Sequence, residues 1–512
     1  MAEESASESA SAPAELPIIV GVEGSVEFAP RDSSPLRAFF ENELTVLSHA
    51  CPHSPIWLVP RASDALLSVL SSVAEASHVR ILGRHDRITD CDLEAGELDP
   101  DGGDCHLLIR VLDDSFPVTP NPQPASLPIS LEARYAVELI EVRLDPDRPN
   151  LACSVTRSSL TGGAARWPTK RDASDKALKR TDRFNSDAQT RANRRTDTVP
   201  IRPDSGAPGI ACARLQRLFA SADALSNAYQ EKVTRTIQLI FVLATLAAIL
   251  YGLFLVYGAG NRSLQEYLLA PYLVLLVCAY IVYYLARRVD LHARFVEYRA
   301  LAEGARVQLY WLICGVDAVV TDSYLAAHAL DLHWIRLALR LATPRPTPPP
   351  ERAAPEPNTT VQALQYWIRR EKSYYTRSAA RSVRAQKWAS ALVRVLFIGG
   401  GCATLLVLLQ FELPLAPFLK RIGLASFLCP SIAAAIVALA TKLGVLYRAE
   451  HHSRMLDLYT QAERILGQWG PERATELAMA LGQAALRESE EWTVFRRDRR
   501  IDEPASPFRR PW

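Results

Sequence analysis

Four long apolar runs beyond residue 235 fix the class of the chain. Residues 236–257 (TIQLIFVLATLAAILYGLFLVY) are 22 residues without a charge, about 33 Å at helical rise against a bilayer core of about 30 Å. Residues 267–286 follow after a short polar stretch, and residues 392–411 and 424–446 form a second pair, joined by residues 412–423. Buried helices of a large soluble protein rarely run this long and this apolar on every face. The expectation is an α-helical membrane domain of four transmembrane helices in two hairpins. Arg394 and Lys442 lie inside the later runs, each near a boundary, where a long side chain snorkels to the interface.

The Lys/Arg bias at the span ends sets an orientation. Lys232, Arg235, Arg287, Arg288 and Arg294 flank the first hairpin, and Arg377, Arg381, Arg384, Lys387, Arg448 and Arg454 the second. The two connecting loops hold only Arg262, Lys420 and Arg421. Both loops are therefore expected outside, with the N- and C-termini cytoplasmic, in an inner (cytoplasmic) membrane. Tyr366, Trp367, Tyr374, Tyr375 and Trp388, among many arginines before the third span, read as a juxtamembrane belt.

The segment after each hairpin repeats at an offset of 160 residues: Arg288, His292, Arg294, Ala302, Glu303 and Gln308 match Arg448, His452, Arg454, Ala462, Glu463 and Gln468. Glu297 matches Asp457, so Arg294–Glu297 and Arg454–Asp457 are expected as ion pairs three residues apart on a helix face. The unit is helix, span, loop, span, helix, present twice. Small residues in the second hairpin (Gly399, Gly400, Gly401 and Ala403, then Ala433, Ala434, Ala435 and Ala438) permit close helix packing or oligomerisation.

Ahead of the spans the pattern changes. Residues 17–22, 55–59, 79–82, 105–112 and 137–144 read as strands, and residues 34–48 and 62–76 as amphipathic helices. This alternation predicts an α/β, Rossmann-like parallel sheet, whose ligands sit beyond the carboxyl ends of the strands. That rim holds Gly21, Gly24 and Ser25 of GVEGS, Ser63 and Asp64 of PRASD, and Asp113. Gly21 and Gly24 let backbone amides approach a phosphate, and Ser63 or Asp64 caps the next helix at its anion-attracting end. Simple turn glycines and a plain N-cap fit those positions equally well. The division expected is a polar N-terminus (1–15), the cytosolic domain (16–160), a basic polar linker (161–210), a first two-span repeat (211–342), a proline-rich linker (343–360), a second repeat (361–495) and a flexible C-terminus (496–512).

Several classes are excluded. Lys and Arg number 58 against 56 Asp and Glu, a net charge of +2, which gives no global case for nucleic-acid binding. The nine cysteines show no CxxC and no Cys/His ligand spacing. No HExxH, GxSxG or GxxxxGK[ST] occurs, so no catalytic residue, metal site or cofactor is expected. The acidic start, MAEESASESASAPAE, has no basic or apolar region of a secretory signal.

IIVGVEGS, PIWLVPRASDALLSVLSSVAEAS and TDRFNSDAQ, then ASADALSNAYQEK, RFVEYRALAEGARVQLYW and YWIRREKSYYTRSAA, carry a resemblance. The chain resembles bacterial proteins in which a SLOG-like, Rossmannoid domain precedes tandem SLATT domains (SMODS and SLOG-associating two-transmembrane effectors). The Gly-His-Arg-like and Gly-rich acidic turns of SLOG relatives are replaced here by GVEGS and PRASD. The resemblance implies a non-enzymatic membrane effector: a cytosolic sensor of a nucleotide-derived ligand controlling a homo-oligomeric pore in the lipid bilayer, in anti-phage defence. A membrane-tethered nucleotide-processing enzyme and a non-conducting scaffold are the alternatives.

Overall fold

The computed structural model describes residues 15–24, 34–62, 64–77, 79–81, 106–113, 138–144, 154–159, 171–192, 210–257, 262–325, 332–343, 357–409 and 416–498. Ser25 and Ser63, and residues 258–261 and 410–415 between the spans, lie outside them. The chain is mostly helical, with a small N-terminal sheet and four helices long and apolar enough to cross a membrane. It divides into two compact units, residues 1–225 with 297–356 and residues 226–296 with 357–512.

The sheet of the first unit has six strands: β1 (Ile18–Gly24), β2 (Ile56–Ala62), β3 (Arg80–Ile81), β4 (Leu107–Asp113), β5 (Glu138–Leu144) and β6 (Ser154–Ser159). Their order is β3-β2-β1-β4-β5-β6, parallel throughout except for β6, which pairs antiparallel with β5. Helix α1 (Ser34–Ala50) buries Leu36, Phe40, Leu44 and Leu47, and α2 (Asp64–Ser77) buries Leu66, Val69, Leu70 and Val73. Each set steps by three and four, and both pack into one core with Ile18, Val20, Val22, Leu58 and Ile109. Ile19, on the other pleat of β1, is buried too, as expected for a strand in a sheet covered on both faces. Strand β6 was not expected: SVTRSS has no apolar alternation, and its place depends on β5 as partner.

The basic stretch read as a linker contains α3 (Arg171–Ala192), which is part of the first unit's packing. Leu178 joins the sheet core, while Phe184 packs edge-on against Tyr298 at 5.5 Å between centroids and lies 6.0 Å from Trp334. Tyr298 lies in α6 (Leu291–Ile313) and Trp334 in α7 (His333–Ala342). Gly304 of α6 is required by close approach: a Cβ there would meet Leu339 at 2.6 Å and Tyr324 at 3.1 Å.

The second unit contains the four spans. They lie within α4 (Ile210–Tyr257), α5 (Arg262–Arg288), α8 (Pro357–Leu409) and α9 (Ala416–Leu443). Helices α10 (Val445–Gln468) and α11 (Ala474–Asp498) complete it. In the apolar window of each span, between none and 11% of the residues are buried. Leu273, Val274, Val395, Ile398 and Leu408 are each about 60% exposed or more, which in water would be untenable and in lipid is ordinary.

Two boundaries and one surface assignment differ from expectation. Helix α8 begins at Pro357, inside the proline-rich stretch, because proline fits the first helical turn, where no backbone N–H partner is needed. Arg496, placed by sequence in the C-terminal tail, is a buried residue of α11. Trp367 and Tyr375, assigned to an interfacial belt, are buried in helical packing, Tyr375 stacking on Tyr459 at 5.8 Å; Trp388 stays 77% exposed.

Candidate functional site

The sheet order reverses between β1 and β4, the place where open α/β sheets hold ligands beyond their carboxyl ends. Gly24 ends β1 beside Ala62 of β2, and Asp113 ends β4 beside Leu144 of β5. The backbone thus brings Gly24, Asp64 and Asp113 to the carboxyl ends of the strands around this switch point, while Gly21, expected there, lies buried inside β1, paired with Val59 and Leu108, and Ser25 and Ser63 fall outside the described residues.

At the opposite, amino ends of the strands α3 makes a polar clasp. Asn185 accepts from the Leu16 N–H at 2.9 Å and donates to the Leu16 carbonyl at 2.8 Å and to Ser54 Oγ at 2.9 Å. Asp182 accepts from the His53 N–H at 2.7 Å and from Ser54 Oγ at 3.0 Å. His106 accepts from the Ile19 N–H at Nδ1, 3.1 Å away, which assigns its proton to Nε2, 3.5 Å from Thr181 Oγ1. Burial, with His333 as a lesser cause, lowers the His106 pKa to about 3; burial, with Arg336 as the lesser cause, lowers His333 to about 4. Both rings are neutral near pH 7 and are held as packing groups rather than proton carriers. Thr181, Asp182 and Asn185 all come from TDRFNSDAQ, so that motif's polar residues secure the sheet's lower edge.

RFVEYRALAEGARVQLYW is similarly occupied. Glu297 is buried, accepts from Arg180 at 3.1 Å and from the Trp334 indole at 3.2 Å. Tyr298 donates to Asp187 at 2.6 Å, Arg299 reaches Asp223 at 3.1 Å, and Gln308 accepts from the Val320 N–H at 2.7 Å. Arg294 donates to the Tyr229 hydroxyl at 2.8 Å. In the second copy Arg454, Asp457, Glu463 and Gln468 are exposed, with Glu463 paired to Lys372 at 2.6 Å. His292 meets the Arg496 carbonyl at 2.8 Å, whereas His452 faces Ser382 Oγ at 3.1 Å and His451 faces Glu488 at 2.8 Å. The matching sequences therefore sit in different surroundings.

In the second hairpin the small residues divide. Gly400 is buried with Pro430 so close that a Cβ would lie 2.9 Å from its ring, and Ala403 and Ala433 are buried as well. Gly399 and Gly401 have nothing within 4 Å of a built Cβ, and they, Ala434 and Ala438 are exposed. Where the spans end beside α10 and α11, a cavity of about 220 Å³ is lined by Ile237, Phe241, Phe295, Lys442, Arg448 and Arg496 among others. Sequence reading treated Lys442 as a snorkelling residue and Arg448 as a flank; the cavity that unites them with Arg496 needs the tertiary fold. Among the described residues no group of three or more His, Cys, Asp or Glu side chains could hold a metal ion. Compared with protein-family models, curated proteins and solved structures, the chain matches none.

Proposed function

We propose that this chain is a non-enzymatic, homo-oligomeric membrane effector: a Rossmann-like, SLOG-like sensor joined to two SLATT-like hairpins that open a pore in the inner membrane. The observation carrying this reading is the pair of opposite faces on the second hairpin. Gly400, Ala403 and Ala433 close the hairpin, and Gly399, Gly401, Ala434 and Ala438 remain outward on spans already apolar all round. In lipid, small residues let backbones approach and are where helices of different chains associate. The sensor is assigned to the switch point between β1 and β4, with a nucleotide-derived ligand as the partner and defence against phage as the setting.

Overproduction in cells tests it. The full chain should depolarise the membrane, and Ala434→Asp should abolish depolarisation while leaving the protein membrane-bound. Reporters inserted within residues 258–261 should read periplasmic. Normal membrane potential at high membrane abundance of the full chain would favour the scaffold reading instead.

A further inference from the structure

The cavity beside Lys442 is lined by three cationic side chains, Lys442, Arg448 and Arg496, and by apolar ones such as Val233, Ile237 and Phe295. Arg448 is half-buried, and among the described residues no carboxylate pairs with it. A guanidinium removed from water without an anion is costly, so its surroundings favour an anionic occupant. Arg496 is fixed at the same space, donating to the Leu443 carbonyl at 3.4 Å and lying over the Trp492 ring at 5.7 Å. The three cations come from the end of a span and from the helices just beyond it, the depth at which lipid headgroups lie.

Phe241 also lines a second cavity, of about 150 Å³, in the seam between α4 and α9. Its walls are Ala244, Ala248, Leu428, Ile432 and Ala435, with Thr245 and Ser431. Both hydroxyls are already satisfied within their own helices, Thr245 donating to the Phe241 carbonyl at 2.7 Å and Ser431 to the Phe427 carbonyl at 2.8 Å. The seam therefore presents an apolar surface from Phe241 to Ile249, about 12 Å along the helix. Further on it closes, with a Cβ on Gly252 lying 2.8 Å from the Phe427 ring.

We propose that the two cavities together hold one anionic glycerophospholipid, its phosphate between Arg448, Lys442 and Arg496 and one acyl chain along the seam of α4 and α9. Arginine's fork is suited to phosphate oxygens, and the lysine adds a point charge. Such a lipid ties the first span to the last and makes the second unit depend on the charge of its membrane.

Native mass spectrometry of the full chain in detergent, titrated with phosphatidylglycerol or phosphatidylcholine, tests this. One phosphatidylglycerol per chain should be retained at least tenfold more tightly than phosphatidylcholine. Arg448→Gln should weaken retention at least tenfold, Arg448→Lys should restore part of it, and Arg381→Gln, on an exposed stretch of α8, should leave it unchanged. Ala435→Leu, which fills the seam and keeps all three cations, should also weaken it, so the proposal stands or falls even if Arg448→Gln fails to fold. Equal retention of the two lipids, or equal loss in the Arg448 and Arg381 variants, would overturn the proposal. Displacement of the lipid by millimolar inorganic phosphate would overturn it too, in favour of a site for the free anion. The readout is bound lipid rather than conductance, so a negative result leaves the effector reading untouched.

Discussion

Glu297 and Asp457 hold matching places in the repeated sequence, yet the structure gives them opposite environments. Asp457 is exposed beside an exposed Arg454, where an ion pair three residues apart contributes about 0.2–0.5 kcal/mol at most. Glu297 is buried and bonded to Arg180 and the Trp334 indole, groups from other helices. Glu297→Ala should therefore cost about 2–3 kcal/mol, the scale of lost hydrogen bonds to a buried charged group, and Asp457→Ala under about 0.5 kcal/mol. Denaturant unfolding of the two variants measures the difference. Sequence showed the RxxE spacing and suggested two like pairs; it had no means to show that α3 and α7 would cover one of them. His106 and His333 add a pH dependence. Their folded pKa values, about 3 and about 4, lie below the usual 6.5, so the unfolded chain binds more protons between these limits. Stability from this source is complete above pH 6.5 and falls on acidification toward pH 3 to 4. By pH 5, about 1.5 pH units below the unfolded pKa, each ring has cost about 2 kcal/mol of stability. His106→Asn keeps an acceptor for the Ile19 N–H and should flatten the fall in thermal midpoint between pH 7 and pH 5; an unchanged slope would mean the ring is not buried neutral.

At the scale of elements, the spans were legible because their signal is continuous apolarity over a bilayer's length, which needs no partner. Their true extent was less so. Helix α8 starts at Pro357, far ahead of its apolar run, because the helix ahead of the third span continues into it without a break. The sheet was legible in its five parallel-paired strands through apolar runs and intervening helices, but β6 and the docking of α3 depend on long-range pairing. The small residues of the third span were visible as a group, and only the fold separates Gly400 from its neighbours. Gly400→Leu drives a side chain into the rigid Pro430 ring and should lower the thermal midpoint in detergent by several degrees, as overpacking costs about 1–3 kcal/mol. Gly401→Leu meets open space and should leave that midpoint unchanged while altering the oligomer distribution on cross-linking. Loss of stability in both variants alike would contradict the assignment of inner and outer faces.

For the whole molecule, the sequence separates a soluble N-terminal part from a membrane part near residue 210, whereas the compact units join residues 297–356 to the N-terminal part. The proposed ligand rim has Gly24 and Asp113 closing β1 and β4 and Asp64 opening α2, whereas Gly21 lies inside β1. Its finer chemistry was not legible, since the residues that would contact a ligand follow those strands in stretches without a recognised nucleotide motif. The four long helices carry exposed apolar faces and have the length and composition to cross a membrane. Conduction is the central claim, and it is open to direct measurement. Liposomes containing phosphatidylglycerol, loaded with a small fluorescent dye and reconstituted with the purified full chain, should release dye in proportion to protein loading. Ala434→Asp, inserted to the same level, should hold the dye in. Vesicles that stay tight at high loading of the unaltered chain would contradict the pore.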